Sequence, residues 1–279
     1  MTIRSRRAIS VLLALGGVVL GAAVAWYARF VHPYRLRTGH EVFELPRNHA
    51  ELDGLTIAFV TDTHIGPHFA VTDLEPVIAR LRELQPDVLL LGGDYICESP
   101  RFMADAAVAI GEMVKTARFG AWGVLGNHDL ANIRERIVEP LREIGVRVLE
   151  NEAARVVTDR GELWIAGVAD AMLAKPDLAR TFANIPAGAA AILLWHEPDL
   201  APLAARYTPM LQLSGHTHGG QVRLPRLGAI ALPRLGRNYV GGRYRVGAMP
   251  LYVSNGIGMY RPPVRLNCPP ELTVIHLVA

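Results

Sequence analysis

Short apolar runs, each closed by a cluster of glycine with acidic, amide or histidine residues, recur along the chain. Leu55 to Val60 and Val88 to Leu91 predict buried strands, and Ala121 to Leu125, Leu163 to Val168, Ala189 to Trp195 and Met210 to Leu213 predict further strands. Between the first two the period changes. Leu74, Val77, Ile78, Leu81 and Leu84 keep the three-four spacing of an amphipathic helix, opened by Thr72 or Asp73 with Pro76 early and stopped by Pro86 and Asp87. A second helix is expected over residues 101–117. After Gly220 the runs Tyr239 to Val246, Leu251 to Ser254 and Leu272 to Leu277, separated by Gly and Pro turns, predict strands with few helices between them. Helices alternating with strands early and mostly strands late predict a layered α/β fold.

The N-terminus breaks this pattern. The 21 residues from Ala8 to Ala28 carry no charge, and as a helix they would span roughly 30 Å, the thickness of a hydrocarbon core. A retained anchor, a cleaved signal peptide and a buried core helix all fit such a run. Arg4, Arg6 and Arg7 in front of it disfavour the core helix. Ala23, Val24, Ala25 offers a small-x-small cleavage site, and Ser5 to Ile9 resembles a twin-arginine export motif, yet the run exceeds a usual signal core, so a retained anchor is preferred. Arg29, Arg35 and Arg37 nearly balance the arginines on the near side, which leaves the side of the membrane open. The expected organisation is a membrane segment over 1–30, a tether and edge strand over 31–54 and one large domain over 55–279.

Composition narrows the chemistry. A net charge of +3 with scattered arginines gives no stripe for nucleic acid. Cys97 and Cys268, the two cysteines, stand far apart and form neither a disulfide framework nor a zinc cluster, so a metal would have to be held by oxygen and nitrogen.

Such ligands are present at the strand ends. Asp62 and His64, then Asp94, then Asn127, His128 and Asp129, then His196, then His216 and His218 each follow an apolar run. Singly each has an ordinary structural use, as a turn former, a helix cap or a satisfied core histidine. Ligands of open α/β sheets gather at carboxyl ends of strands, and that successive strand ends all carry metal-competent side chains favours one shared site.

Asp62-x-His64, Gly93-Asp94, Gly126-Asn127-His128-Asp129, His196 and Gly215-His216-x-His218, in that order, resemble the calcineurin-like metallophosphoesterase superfamily. Ser214 to Arg223, with Gly236, Arg237, Tyr239 and the segment Leu266 to Pro270, further resembles its membrane-anchored bacterial YkuE/YaeI-type branch. The resemblance implies a four-layer α/β/β/α sandwich and two divalent metal ions about 3.5–4 Å apart, of which mixed oxygen and nitrogen ligands favour Mn, Fe or Zn. One ion would take Asp62, His64, Asp94 and His218, the other Asp94, Asn127, His196 and His216, with Asp94 bridging. His216 and His218 would therefore serve different ions although residues two apart on a strand share a face.

The implied reaction is hydrolysis of a phosphoester or pyrophosphate by a hydroxide bridging the metals, with His128 facing the leaving group. Many relatives carry an acid three places after the bridging aspartate to orient that histidine. Here Cys97 stands there and Glu98 falls one place late, which leaves Asp129, a water or a backbone carbonyl to substitute. Gln221, Arg243, Asn255 and Arg261 are candidates for substrate contact, with solvated surface as the alternative. An anchored enzyme suits a phosphorylated small molecule or a lipid-linked substrate at a bacterial inner membrane. Some relatives cleave UDP-diacylglucosamine in lipid A assembly, a substrate that requires a cytoplasmic domain. The alternatives are a non-catalytic scaffold on the same fold, against which the complete ligand set argues, and a nuclease, which lacks the expected aromatic and basic groove; no nucleic-acid partner is expected.

Overall fold

Ile57 and Phe59 point to one side of their strand and Ala58 and Val60 to the other, and all four are buried. A strand with two apolar faces needs a layer on each, and that requirement organises the chain. The computed structural model describes residues 3–97, 99–131 and 134–279, with side chains from residue 12 onward. Glu98 and the side chains of Arg4, Arg6 and Arg7 lie outside the described residues.

The helix α1 (Ile3–Phe30) comes first. The edge strand β1 (Arg37–Glu44) and β2 (Thr56–Val60) follow, then α2 (Glu75–Leu84), β3 (Val88–Leu91), α3 (Met103–Val114) and β4 (Ala121–Gly123). The chain continues through α4 (Asn127–Leu130), α5 (Glu135–Glu143), β5 (Val146–Val148), β6 (Glu152–Val157) and β7 (Glu162–Gly167). Next come α6 (Leu178–Phe182), β8 (Ala191–Leu194), α7 (Ala201–Ala204), β9 (Leu211–Ser214) and a small hairpin of β10 (Arg223–Leu224) and β11 (Gly228–Ala229). The last strands are β12 (Gly242–Val246), β13 (Met249–Val253) and β14 (Glu271–Val278).

Two six-stranded sheets result, in the orders β1-β14-β2-β3-β4-β5 and β12-β13-β9-β8-β7-β6. Within them β2, β3 and β4 run parallel, as do β7, β8 and β9, so each trio ends at one edge. Phe43, Ile57, Phe59, Leu90 and Val124 of the first sheet pack against Ile165, Ile192, Leu194 and Leu213 of the second. The outer face of the first sheet is covered by Val77 and Leu81 of α2, Ile110 and Met113 of α3, and Ile137 and Leu141 of α5. Leu178 and Phe182 of α6 and Ala201 and Ala204 of α7 cover Leu193, Val168 and Trp195 of the second. The chain is thus the expected α/β/β/α sandwich.

Several boundaries differ from expectation for local reasons. The helix expected from Thr72 begins as a 3-10 turn over Val71–Leu74, with the Asp73 carboxylate accepting from Ala70 N–H at 2.8 Å, and only Glu75 starts α2. The strand expected from Tyr239 starts at Gly242, because the Val240 and Gly241 amides donate to the Tyr244 hydroxyl instead of to a neighbouring strand. β5, β6 and α5 carry no expectation from the apolar runs. Residues 12–26 of α1 are exposed throughout, and Leu12–Tyr34 is long and apolar enough to cross a membrane.

Candidate functional site

Past the last regular pair of β2 and β3 the two chains keep hydrogen-bonding: Asp62 N–H reaches Gly93 O at 2.9 Å and His64 N–H reaches Asp94 O at 3.0 Å. This holds the two aspartates in register beyond the sheet edge, but in a twisted form. Asp62, His64, Asp94, His216 and His218 all have φ between 44° and 69°, the left-handed region that L side chains avoid. Each such residue costs on the order of 1–3 kcal/mol and persists only where its surroundings dictate it. Two glycines make room for the carboxylates that result. A Cβ at Gly126 would collide with the Asp94 carboxylate and His196 Nε2, and one at Gly215 with the Asp62 carboxylate and Thr61 Oγ1.

The carboxylates are fixed from behind. Asp62 Oδ2 accepts from Thr61 Oγ1 at 2.7 Å, and both its oxygens accept from His216 N–H at 3.1 Å. Asp94 Oδ1 accepts from His128 N–H at 2.8 Å. Asp129 does not orient the His128 ring. Its carboxylate is fully buried and accepts the Asp94, Tyr95 and Gly126 amides at 2.8, 2.9 and 3.0 Å, tying the loop after β3 to the start of α4.

The histidine rings are oriented by carbonyls. His196 Nδ1 donates to Gly92 O at 2.7 Å, which aims Nε2 at Asp94 Oδ2, 3.1 Å away. His216 Nε2 donates to Arg234 O at 2.7 Å, which turns Nδ1 inward. His64 Nε2 lies 2.9 Å from His218 Nε2 and 3.5 Å from Asp94 Oδ2. Ligand atoms of Asp62, His64 and His218 fall within 4.8 Å of one another, and so do those of Asp94, His196 and His216. His216 and His218 belong to different groups. A third group joins His64, Cys97 and His128, so the thiol in the expected acidic position faces both rings.

Burial alone would raise the Asp94 carboxyl, but the His196 ring, with His64 and His128, holds it well below its ordinary value; His218 and His64 do the same for Asp62. Burial would lower His64, and the Asp62 carboxylate, helped by Cys97 and Asp94, instead pushes it up to about 10. His128 and His216 are lowered by burial, and His218 is held well below its usual value by burial, His64 and Arg265. These side chains fit a divalent metal. Asn127 Oδ1 and His196 Nε2 are buried with no hydrogen-bond partner, and the groups Asp62, His64, His218 and Asp94, His196, His216 offer only oxygen and nitrogen.

Asp94, Asn127, His128, His216 and His218 form one wall of a cavity of about 560 Å³. Met172, Val222, Ile230, Leu232, Pro233 and Pro262 make half of the rest. Tyr260 lies over His128 at 4.5 Å between ring centroids, and Arg261 also lines the space. Gln221 borders the cavity with its amide engaged: Nε2 donates to Tyr260 O and Pro262 O at 3.0 Å, and Oε1 accepts from Tyr260 N–H at 2.8 Å. It positions the Tyr260 to Pro262 wall. Arg243 is outside the cavity lining, paired with Glu41, bonded to Val42 O and stacked on Phe43 at 4.3 Å. Asn255 faces Gly219 and Gly241 and is likewise outside the lining.

Two further features carry no sequence motif. Arg265, fully buried, donates to the carbonyls of Asn255, Gly256, Gly258 and Cys268 at 2.7–3.2 Å and places Nη2 3.4 Å from His218 Nδ1. Its one sequence signal is an arginine set between Val264 and Leu266. Glu197, next to His196, is fully buried beside buried Asp170, and burial together with Asp170 pushes it up to about 9. Its proton therefore favours the folded state. That contribution is complete below the unfolded carboxyl value of about 4.3 and is lost as pH rises through about 9. Denaturation midpoints measured from pH 5 to pH 10 should fall for the wild type and fall less steeply for Glu197→Gln, which keeps the losses from the other raised groups, His64 among them; parallel curves would remove Glu197 as a source.

The family model described as calcineurin-like phosphoesterase matches residues 55–220. An uncharacterised metallophosphoesterase of Bacillus subtilis, YkuE, is 33% identical over 267 residues, covering 95% of this chain and 93% of that protein. The phosphodiesterase YaeI of Escherichia coli is 33% identical over 231 residues, 80% of this chain and 82% of that one. A transmembrane protein with a metallophosphoesterase domain from Danio rerio is 33% identical over 241 residues, 81% of this chain and 54% of that one.

Proposed function

We propose, from the premise that the chain belongs to the calcineurin-like phosphoesterase family and is a metal-dependent phosphoesterase, that it hydrolyses an amphiphilic phosphodiester or pyrophosphate held at a membrane. The observation that carries this reading is the cavity, polar where it meets the ligand groups and apolar over most of its remaining wall. A substrate with a phosphate at one end and an alkyl or acyl group at the other matches both parts.

Asp62, His64, Asp94 and His218 would hold one divalent ion and Asp94, Asn127, His196 and His216 the other. Bound there, Mn, Fe or Zn would supply Lewis-acid stabilisation of phosphoryl charge and a nucleophile at neutral pH. The chain's own groups do the rest. Asp94 faces both histidine groups with one carboxylate, and Asn127 offers a neutral oxygen, which limits the negative charge that an incoming phosphate must approach. Burial keeps the His128 ring neutral at neutral pH, so it serves the leaving oxygen as a hydrogen-bond donor rather than as a cation. Tyr260 packs on that ring, while Gln221 fixes Tyr260 and Arg261 as one wall. Apolar side chains over the phosphate pocket exclude water and strengthen every polar contact within it.

Bis(p-nitrophenyl) phosphate and a long-chain alkyl p-nitrophenyl phosphodiester in mixed micelles separate this reading from a generic phosphodiesterase. With Mn added, kcat/KM for the amphiphile should exceed that for the small diester by at least about tenfold, equivalent to ~1.4 kcal/mol of apolar contact. Leu232→Asp should bring the two values together. Equal kcat/KM in the wild type would reject the amphiphile.

A further inference from the structure

The cavity rim and the end of the membrane-competent helix are joined directly. Ala28 O, in the last turn of α1, accepts from Arg265 N–H at 2.9 Å, and the next residue, Leu266, pairs with the base of the β10–β11 hairpin. Leu266 N–H donates to Gln221 O and Leu266 O accepts from Arg223 N–H, both at 2.9 Å. Asn267 Nδ2 adds a bond to Arg223 O at 2.9 Å, and His32 Nε2 accepts from Cys268 N–H at 3.1 Å. The hairpin is therefore held at the level of residues 28–32.

That level is marked by chemistry. Trp26 and Phe30 are 60% and 55% exposed beside Arg29, as in the aromatic and basic belt where a spanning helix leaves the hydrocarbon. The hairpin shows matching composition. Leu227, at its tip, is 79% exposed, Ile230 63% and Leu224 37%, beside exposed Arg226 and Arg234. Exposed leucine and isoleucine with flanking arginines suit the boundary between acyl chains and headgroups. Val222 and Ile230, which close the base of the hairpin through Ile230 N–H to Val222 O at 3.2 Å, also line the cavity.

We propose that the β10–β11 hairpin, through Leu224, Leu227 and Ile230, enters the surface of the bilayer that α1 spans, so that the cavity opens onto lipid. This rests on the reading of α1 as a membrane anchor. The occupant of the apolar patch is the bilayer itself, because the patch continues, through Leu266 and Arg265, from the helix that ends there. Substrate then enters sideways from the leaflet without crossing water, and the hairpin serves as the ramp.

The full chain, reconstituted in nanodiscs of phosphatidylcholine and phosphatidylglycerol, tests this with an environment-sensitive fluorophore on single introduced cysteines. Cys97 and Cys268 are 2% and 1% exposed, so Leu20→Cys in α1, Leu227→Cys in the hairpin and Val108→Cys on α3 label selectively. Labels at positions 20 and 227 should both emit at shorter wavelength and be quenched by doxyl lipids, with the label at 108 unaffected. Quenching at 20 with a label at 227 as wet as that at 108 would overturn the hairpin contact and leave the anchor standing. Labels wet at all three positions would overturn the anchor and the hairpin contact together.

Discussion

Asp94→Asn should lower kcat for bis(p-nitrophenyl) phosphate with added Mn by about three orders of magnitude while leaving the chain folded, with the circular dichroism of the wild type. Asp94 Oδ2 lies 3.5 Å from His64 Nε2 and 3.1 Å from His196 Nε2, while Oδ1 takes the His128 amide at 2.8 Å. An asparagine fills the same volume and can still accept that amide. It removes the charge on the carboxylate that stands nearest His196 while also facing His64. Metal sites supply several kcal/mol of transition-state stabilisation, and each 1.4 kcal/mol is tenfold in rate, which gives the expected ~10³. Metal content measured on the same samples should fall in parallel. Activity within tenfold of the wild type would take Asp94 out of the reaction.

Arg265→Ala should be the most damaging change to stability. The guanidinium is fully buried and satisfies the carbonyls of Asn255, Gly256, Gly258 and Cys268. Truncation takes the guanidinium from all four and leaves only Gly256 O with another donor, the Glu271 amide at 3.0 Å, at ~1–3 kcal/mol for each orphaned group that water cannot reach. Arg265→Lys should recover only part of the loss, since an ammonium cannot fan across four acceptors. Chemical denaturation in detergent measures both. A loss under ~1 kcal/mol for Arg265→Ala would mean that the loop does not depend on this side chain. The same variant keeps the backbone bond from residue 265 to Ala28 O but frees the loop that the guanidinium holds, and so should raise protease sensitivity near residues 260–270 ahead of global unfolding.

The site-bearing strands are legible in the sequence because they are buried on both faces. A strand such as Val88–Leu91 has no polar position at all, and the turn that ends it must carry whatever the strand end presents. β6, over Glu152–Val157, borders its sheet and exposes alternate residues, and three-residue β5 is shorter than any pattern. α5 does carry a signal, the apolar trio Ile137, Val138 and Leu141, but Pro140 in its middle argues against a helix until the preceding turn is seen to accommodate it. Among site residues, the motif positions are read directly. The groups that hold them are not: Asp129 beneath Asp94, Gly92 O behind His196, Arg234 O behind His216 and Arg265 beside His218 act across long sequence separations, and two of the four act through carbonyls that any residue possesses. Gln221, Arg243 and Asn255 show the converse. A polar residue near a motif suggests substrate contact, but in the fold Gln221 braces a wall and Arg243 grips the edge strand.

The position of β14 has a bearing on how the molecule is made. It lies between β1 and β2, so the strand that leads to Asp62 is flanked on that side by residues 271–278, which the ribosome delivers after every other described element. Meanwhile α1 has already left the exit tunnel and, if inserted, tethers the nascent chain to a bilayer with β1 close behind it. Until β14 arrives, β1 and β2 expose unpaired edges to each other across an empty slot, and sheet edges recruit whatever strand is nearest. The charged side chains Arg37, Glu41 and Glu44 along β1 supply the guard that an edge needs while it waits.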